Sequence, residues 1–189
     1  MSLEDKQKWN KKFAENEEYL TYRPPAPMVE EYYHKCGGKN VLDLACGTGR
    51  HTLFLSKRNY LVDAVDISDV ALNHLKPQIN ENATLIEADL DTYTPKKEQY
   101  NLVIMTNYLD RDLISRAKES LKVGGTFIVE TYMEDEANEK VGYNPAFLLQ
   151  KEELKSIFSE YELLAYEESR NETYEKRRMK KQAIAVRKV

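Results

Sequence analysis

Short apolar runs alternate with amphipathic segments along most of the chain. Five of these runs have the composition of buried strands, and they span residues 41–45, 61–66, 83–90, 100–106 and 126–132. Helical patterns follow the first, second and fourth runs, and the last of these helices is expected to pass through Leu121 and end at Gly124. Strands that alternate with helices predict right-handed crossovers and a parallel sheet.

The end of the chain breaks this alternation. A short helical pattern at 151–158 is followed by two strand-like runs, at 161–167 and 181–186, which only the polar stretch 169–178 connects. Two strands without a helix between them form a hairpin, so one strand must be antiparallel to its neighbours. The pattern therefore predicts an α/β fold with a Rossmann-like, doubly wound sheet, mostly parallel, with one antiparallel strand in a C-terminal hairpin.

Two helical segments precede the first strand. Residues 4–20 are polar and helix-prone, with Trp9 and Phe13 spaced to share one face. The run Pro-Pro-Ala-Pro at 24–27 blocks helix formation, and a second helix follows at 28–35. We therefore divide the chain into an N-terminal helical segment, residues 1–38, and a main domain, residues 39–189.

The aromatic stretch between these two helices has two interpretations. It is either a loop packed against the edge of the sheet or a flap over a ligand, and the sequence leaves both open. The residues that would form the flap are Trp9, Tyr19, Tyr22 and Arg23.

Composition narrows the class of protein. With 189 residues, a net charge of −4 and 32% charged residues, the chain is expected to form one mildly acidic domain that binds neither nucleic acids nor membranes. The N-terminus lacks the apolar core of a signal peptide, and the two cysteines lack metal-ligand or disulfide spacing. We therefore expect a cytoplasmic protein, monomeric or weakly dimeric. Because His34, His51 and His74 are isolated, no metal site is predicted.

The residues after the first strand carry the clearest chemical signal. The strand leads through Gly47-Thr48-Gly49 into a helix, and such a turn brings backbone close to a nucleotide-like ligand. The dinucleotide fingerprint requires a third glycine where Thr52 stands. Instead, Asp43 lies on the strand itself, where its carboxylate would favour a cationic ligand. A tight turn without any ligand is the alternative.

A second acid, Asp66, ends the second strand 19 residues after Gly47. This spacing suits a carboxylate that accepts hydrogen bonds from both hydroxyls of a ribose. The alternative is an acid that stabilises a turn or caps a helix, which Ser68 or Asp69 could already do.

Several stretches resemble the class I S-adenosylmethionine-dependent methyltransferases. Asp-x-Ala-x-Gly-x-Gly at 43–49 is similar to their first motif, in which glycine is usual where this chain has Ala45. Leu-Lys-Val-Gly-Gly at 121–125 resembles the Leu-Lys-Pro-Gly-Gly that often precedes their fifth strand. Residues 40–189 are similar to the small tellurite-resistance-type branch, notably in Leu-Asp-Leu-Ala-Cys-Gly-Thr-Gly-Arg at 42–50.

This resemblance implies S-adenosyl-L-methionine as the cofactor and methyl transfer to a small-molecule acceptor such as a thiol, a metalloid anion or an amine. It also implies that Asp89 pairs with the amino group of adenine. The implied cofactor-binding residues are Asp43, Ala45, Gly47, Gly49, Asp66, Ile67, Asp89, Leu90 and Thr106.

The sequence shows no clear catalytic residue. Methyl transfer from a sulfonium is an in-line displacement with a good leaving group, so positioning and desolvation can suffice. Tyr108 and Tyr132, at the ends of the fourth and fifth strands, are candidates to line the acceptor site, and aromatic core packing is their alternative role. Two other functions remain open: a cofactor-binding module or regulator without turnover, and an NAD-dependent oxidoreductase. The basic run at 176–181 is interpreted as a solvated turn.

Overall fold

The computed structural model describes residues 3–139, 144–170 and 178–189. Its helices are α1 (Leu3–Glu15), α2 (Glu17–Leu20), α3 (Pro27–Tyr32), α4 (Arg50–Ser56), α5 (Asp69–Leu75), α6 (Arg111–Ser120) and α7 (Glu153–Ile157). Its strands are β1 (Asn40–Leu44), β2 (Leu61–Asp66), β3 (Ala83–Glu87), β4 (Tyr100–Thr106), β5 (Leu121–Tyr132), β6 (Glu162–Arg170) and β7 (Lys180–Arg187). None of the described helices is both long and apolar enough to cross a membrane.

All seven strands belong to one sheet, in the order β3-β2-β1-β4-β5-β7-β6. Strands β1 to β5 are parallel, and β7 runs antiparallel to both of its neighbours, β5 and β6. The predicted fold class, including the antiparallel strand of the C-terminal hairpin, is therefore confirmed. Because β1 pairs with both β2 and β4, the strand order reverses there, and α/β proteins bind ligands at the carboxyl ends of the strands at such a reversal.

Each face of the sheet packs against its own set of helices. Alternation along β1 sends Leu42 and Leu44 to one face, where they join residues of α6 and α7. Val41 points to the other face and packs with residues of α3 and α4. Both faces are covered, which explains why the parallel strands read as nearly continuous apolar runs.

The structure corrects three predicted boundaries. The helix expected to pass through Leu121 ends at Ser120, and β5 begins at Leu121, which pairs with Tyr100 of β4. Pairing with a neighbouring strand overrides the local helical pattern here. The third strand ends at Glu87, so the loop after it carries the residues predicted at its end. Of the basic run at 176–181, residues 176 and 177 lie outside the described residues, whereas Lys180 and Lys181 belong to β7 and Lys181 is buried. The interpretation as a solvated turn is therefore wrong for this part of the run.

Candidate functional site

The turn between β1 and α4 contains three residues with positive φ: Ala45 (+54°), Gly47 (+54°) and Gly49 (+79°). Glycine adopts this conformation at little cost because it has no Cβ. A Cβ on Gly49 would lie 2.4 Å from Cδ2 of Leu75, so α5 packs directly against the turn. Ala45 adopts the same backbone conformation with a side chain, and is therefore strained.

Asp66, at the end of β2, fixes the glycine turn. Its Oδ2 accepts a hydrogen bond from the Gly47 N–H at 2.8 Å, and its Oδ1 accepts one from the Ser68 N–H at 2.9 Å. The side chain is buried, and burial raises the pKa of the carboxyl group while the backbone N–H donors oppose that shift. Asp66 thus stabilises two turns in the protein itself. Because an ionised carboxylate has about four acceptor positions, it can also accept from a ligand.

Asp43 lies beneath α4 and is 1% exposed. The Thr52 hydroxyl donates to its Oδ2 at 2.6 Å, and Nδ1 of His51 lies 3.9 Å from its Oδ1. The carboxylate therefore contacts side chains of the protein and does not reach the surface of the crevice. Its negative charge still lies directly behind the glycine turn.

The loop after β3 leaves the sheet at the same carboxyl edge as the glycine turn, because β3 is parallel to β2 and β2 to β1. Asp89 is half-buried, and its Oδ1 accepts from the Asp91 N–H at 2.9 Å. Arg116 of α6 donates to the Leu90 carbonyl at 2.7 Å, which fixes this loop against the sheet. The side chains of Ile67 and Leu90 are buried in the protein. Thr106, at the end of β4, is half-buried.

The two candidate tyrosines have different surroundings. Tyr108 packs against the face of the sheet that α6 and α7 cover, and burial followed by the charges of Asp110 and Asp89 raises its pKa. Tyr132 pairs with Lys181 of β7, whose ammonium lies 4.9 Å from the centre of the tyrosine ring. Asp89, in the loop after β3, is thus close enough to act on Tyr108, whereas Tyr132 lies beside Lys181 of β7.

The N-terminal segment lies on the glycine turn. Phe13 of α1 is buried, and a Cβ on Gly47 would lie 3.5 Å from its ring. The Thr48 hydroxyl donates to the Tyr19 carbonyl at 3.1 Å, and the Tyr19 ring meets Phe13 edge-on with centroids 6.0 Å apart. Tyr19 thus lies over the turn.

The other residues predicted for the flap are placed differently. Trp9 packs against Phe13, with ring centroids 6.1 Å apart. Arg23 donates to the Glu18 carbonyl at 3.2 Å and lies over the Tyr19 ring. The Tyr22 side chain is 61% exposed.

Two polar residues that no sequence pattern indicated dock α1 over the ends of β2 and β3. Asn10 donates to Oδ1 of Asp69 at 2.8 Å and accepts from the Ser68 hydroxyl at 2.7 Å. Lys6 forms ion pairs with Asp69, at 3.1 Å, and with Glu87. These partners are 58 to 81 residues away in the chain, and a lysine or asparagine on a polar helix gives no local signal of such contacts.

Comparisons with known proteins bear on the chemistry of this crevice. Residues 41–125 match the family model described as a methyltransferase domain. The chain is also 30% identical over 145 residues to the probable S-adenosyl-L-methionine-dependent methyltransferase TehB of Haemophilus influenzae, covering 71% of this chain and 50% of that protein. This chain contains a class I S-adenosylmethionine-dependent methyltransferase domain. It spans about half the length of the curated relative it matches.

The fold of the methyltransferase domain is also similar to the folds of solved structures. The crystal structure of TehB from Haemophilus influenzae superposes with a TM-score of 0.76 at 24% identity, over 96% of this chain and 67% of that one. The glycopeptide N-methyltransferase MtfA, complexed with S-adenosyl-L-homocysteine, gives 0.63 at 17% identity, over 89% and 91% of the two chains. At these identities the similarity establishes the fold.

The crevice of the methyltransferase domain suits the nucleoside cofactor of this family. It offers a backbone turn without a side chain at Gly47, a carboxylate at Asp66 that already accepts from two N–H groups, and a half-buried carboxylate at Asp89. Among residues 3–139, 144–170 and 178–189, no group of three or more His, Cys, Asp or Glu could hold a metal ion.

Proposed function

We propose that the protein is a methyltransferase that uses S-adenosyl-L-methionine to methylate a small molecule. The observation that carries the proposal is the hydrogen bond from Gly47 to Asp66, which holds the glycine turn of β1 beside the acid of β2. This arrangement lies at the carboxyl end of the sheet where the strand order reverses. The family match over residues 41–125 supports the same chemistry.

Several residues around the crevice have proposed roles in holding the cofactor. Asp66 accepts from the ribose hydroxyls with the lone pairs that its two backbone contacts leave. Asp89 accepts from the amino group of adenine, and Tyr108, which lies near Asp89, contacts the base. The buried charge of Asp43 favours a cation above the turn through its field, without direct contact.

The bound cofactor would supply an electrophilic methyl group on a sulfonium with a good leaving group. The protein's own residues then have to orient the acceptor in line with that methyl group and exclude water. Tyr132, beside the Lys181 ammonium, is our candidate to line the acceptor site. A thiol, a metalloid anion and an amine all remain candidate acceptors because none of them requires a dedicated general base.

The N-terminal segment is proposed to act as the flap. The Phe13 ring would be only 3.5 Å from a Cβ on Gly47, so no layer of ligand atoms fits between that ring and the turn. Direct contact of a ligand with Gly47 therefore requires Phe13 to move outward. The ties of α1 to Asp69 and Glu87 are partly exposed ion pairs, which contribute little to stability and can break and re-form.

The test is incubation of the purified protein with methyl-labelled S-adenosyl-L-methionine and a panel of small thiols, metalloid anions, amines and a small-molecule cell extract. Transfer of label to one of these acceptors is the expected result. Calorimetry with S-adenosyl-L-homocysteine and with NAD is the matched binding experiment. Tight binding of the first without any transfer would favour a binding module, and binding of NAD alone would favour an oxidoreductase.

The remaining assignments concern partners. We propose a small-molecule acceptor, no nucleic-acid or membrane partner, and a monomer or weak homodimer in the cytoplasm, in keeping with the mildly acidic net charge of −4. Light scattering at several concentrations measures the oligomeric state.

A further inference from the structure

Besides the contacts of α1 and of the Tyr19 carbonyl, the N-terminal segment makes a buried hydrogen bond to α4. In the stretch Pro-Pro-Ala-Pro at 24–27, only Ala26 has an N–H to donate, because proline has none. This N–H donates to Nε2 of His51 on α4 at 3.2 Å. Ala26 is fully buried and His51 is 2% exposed, so water cannot replace either partner. A buried N–H without an acceptor is costly, and His51 therefore contributes to how stably the segment is attached.

The same imidazole connects this attachment to the cofactor crevice. Since Nε2 accepts a hydrogen bond, the neutral ring carries its proton on Nδ1, which faces Oδ1 of Asp43 at 3.9 Å. The other oxygen of Asp43 accepts from Thr52, the residue after His51. Ala26, His51 and Asp43 thus form a buried line from the start of α3 to the acid behind the glycine turn.

Charged groups from several elements surround His51. Asp43 faces it from β1, Arg50 from α4, and Glu130 from β5, and Glu130 is itself paired with Lys181 of β7. Desolvation is the largest influence and lowers the pKa of His51 below 6.5, while the carboxylates of Asp43 and Glu130 oppose this shift. At neutral pH the ring is therefore neutral and can accept from Ala26.

We propose that His51 is a positioning residue that anchors the N-terminal segment at Ala26 and releases this anchor when its imidazole is protonated. A protonated Nε2 carries a hydrogen, so two donors would face each other across 3.2 Å. The proposal rests on the proposed function in one respect, that the segment covers the bound cofactor.

The direction of the pH effect follows from the burial. In the closed protein the pKa of His51 is lowered, whereas in an open form with water access it returns towards its ordinary value of 6.5. The open form therefore binds more protons, and acid favours it once the pH falls below about 6.5. Each pH unit below that value can shift the balance up to about tenfold, until the lowered pKa of the closed form is reached.

Two variants distinguish an anchoring hydrogen bond at His51 from a role of this side chain in packing alone. His51→Gln places an amide oxygen near the position of Nε2 and does not titrate, so it should keep the anchor at every pH. His51→Leu leaves the Ala26 N–H without an acceptor, so it should lose the anchor at every pH. Calorimetry measures the affinity of the whole wild-type protein and of both variants for S-adenosyl-L-homocysteine between about pH 8 and pH 5.

The ratio of the dissociation constants of the wild-type protein and His51→Gln cancels the titration of other groups, including Asp66. We expect this ratio to be near one at about pH 8 and to rise to about tenfold at about pH 5, with His51→Leu weak throughout. A ratio that does not change with pH, or a His51→Leu variant that binds like the wild type, would overturn the proposal.

Hydrogen exchange of the Ala26 amide without ligand distinguishes this proposal from the proposed function. At about pH 8 the amide should be protected in the wild type and in His51→Gln, and should exchange faster by about tenfold or more in His51→Leu. If exchange follows this pattern but S-adenosyl-L-homocysteine does not bind, the anchor is supported and the cofactor assignment is refuted. Equal exchange in all three proteins would refute the anchor.

Discussion

Glu130 of β5 and Lys181 of β7 form an ion pair 3.2 Å long across the antiparallel strands, with side chains only 7% and 3% exposed. Removing one partner leaves the other charge buried without its counter-ion, which typically costs about 3–5 kcal/mol. We expect Glu130→Gln or Lys181→Met to reduce the free energy of unfolding by about that amount. Urea unfolding followed by circular dichroism measures it.

The double variant Glu130→Gln/Lys181→Met tests the cause. If the penalty comes from an unpaired buried charge, the double variant should be more stable than either single variant. Additive losses would mean that each side chain contributes through packing alone. The exposed pair Lys97–Glu119, with side chains 78% and 60% exposed, is the matched control, and its removal should change stability by less than about 1 kcal/mol.

Replacing Asp66 should weaken cofactor binding. Asp66→Ala removes the proposed acceptor of the ribose hydroxyls and the acceptor of the Gly47 and Ser68 N–H groups. Hydrogen bonds to a charged group contribute about 1.5–3 kcal/mol each, so affinity for S-adenosyl-L-homocysteine should fall roughly tenfold or more. Calorimetry measures the loss, and unchanged affinity would refute the ribose assignment.

Asp63→Asn is the control for this experiment. Asp63 lies on the same strand and accepts a hydrogen bond from the Tyr100 hydroxyl at 2.8 Å, away from the crevice. It should alter stability without a comparable loss of affinity.

Ala45→Gly should stabilise the protein. Ala45 has a φ of +54°, a conformation that costs a residue with a Cβ about 1–2 kcal/mol and costs glycine little. Glycine also raises the entropy of the unfolded chain, so the expected net gain is about 0.5–1 kcal/mol. Ala14→Gly is the control. Ala14 lies on the exposed side of α1, where the helical backbone favours alanine, so this substitution should lower stability by a similar amount. Destabilisation by Ala45→Gly would contradict the strain argument.

The flap proposal predicts a change in amide protection when ligand binds. Amides in residues 9–22 should exchange more slowly after S-adenosyl-L-homocysteine is added, while those of α7 should not change. Thr48→Val, which removes the hydroxyl that donates to the Tyr19 carbonyl, should reduce this protection. If residues 9–22 exchange equally fast with and without ligand while calorimetry shows binding, the segment is packing and not a flap.

The sequence by itself determined the local elements and the order in which they occur. The apolar runs predicted every strand of the sheet, and the missing helix between the last two runs predicted the antiparallel hairpin. The positions of Gly47 and Gly49 predicted the tight turn after β1. These predictions succeed because strand composition, helical spacing and glycine conformation are properties of residues close together in the chain.

Only the tertiary structure decided which distant residues meet. It placed Tyr108 against the core beside α6 and α7, and Tyr132 beside Lys181 of β7. It ended α6 before Leu121, because pairing with β4 competes with local helical preference. It also gave the isolated His51 a partner at Ala26, 25 residues earlier. Contacts of this kind depend on strand register and on how helices pack across the sheet, and no local pattern encodes either of these.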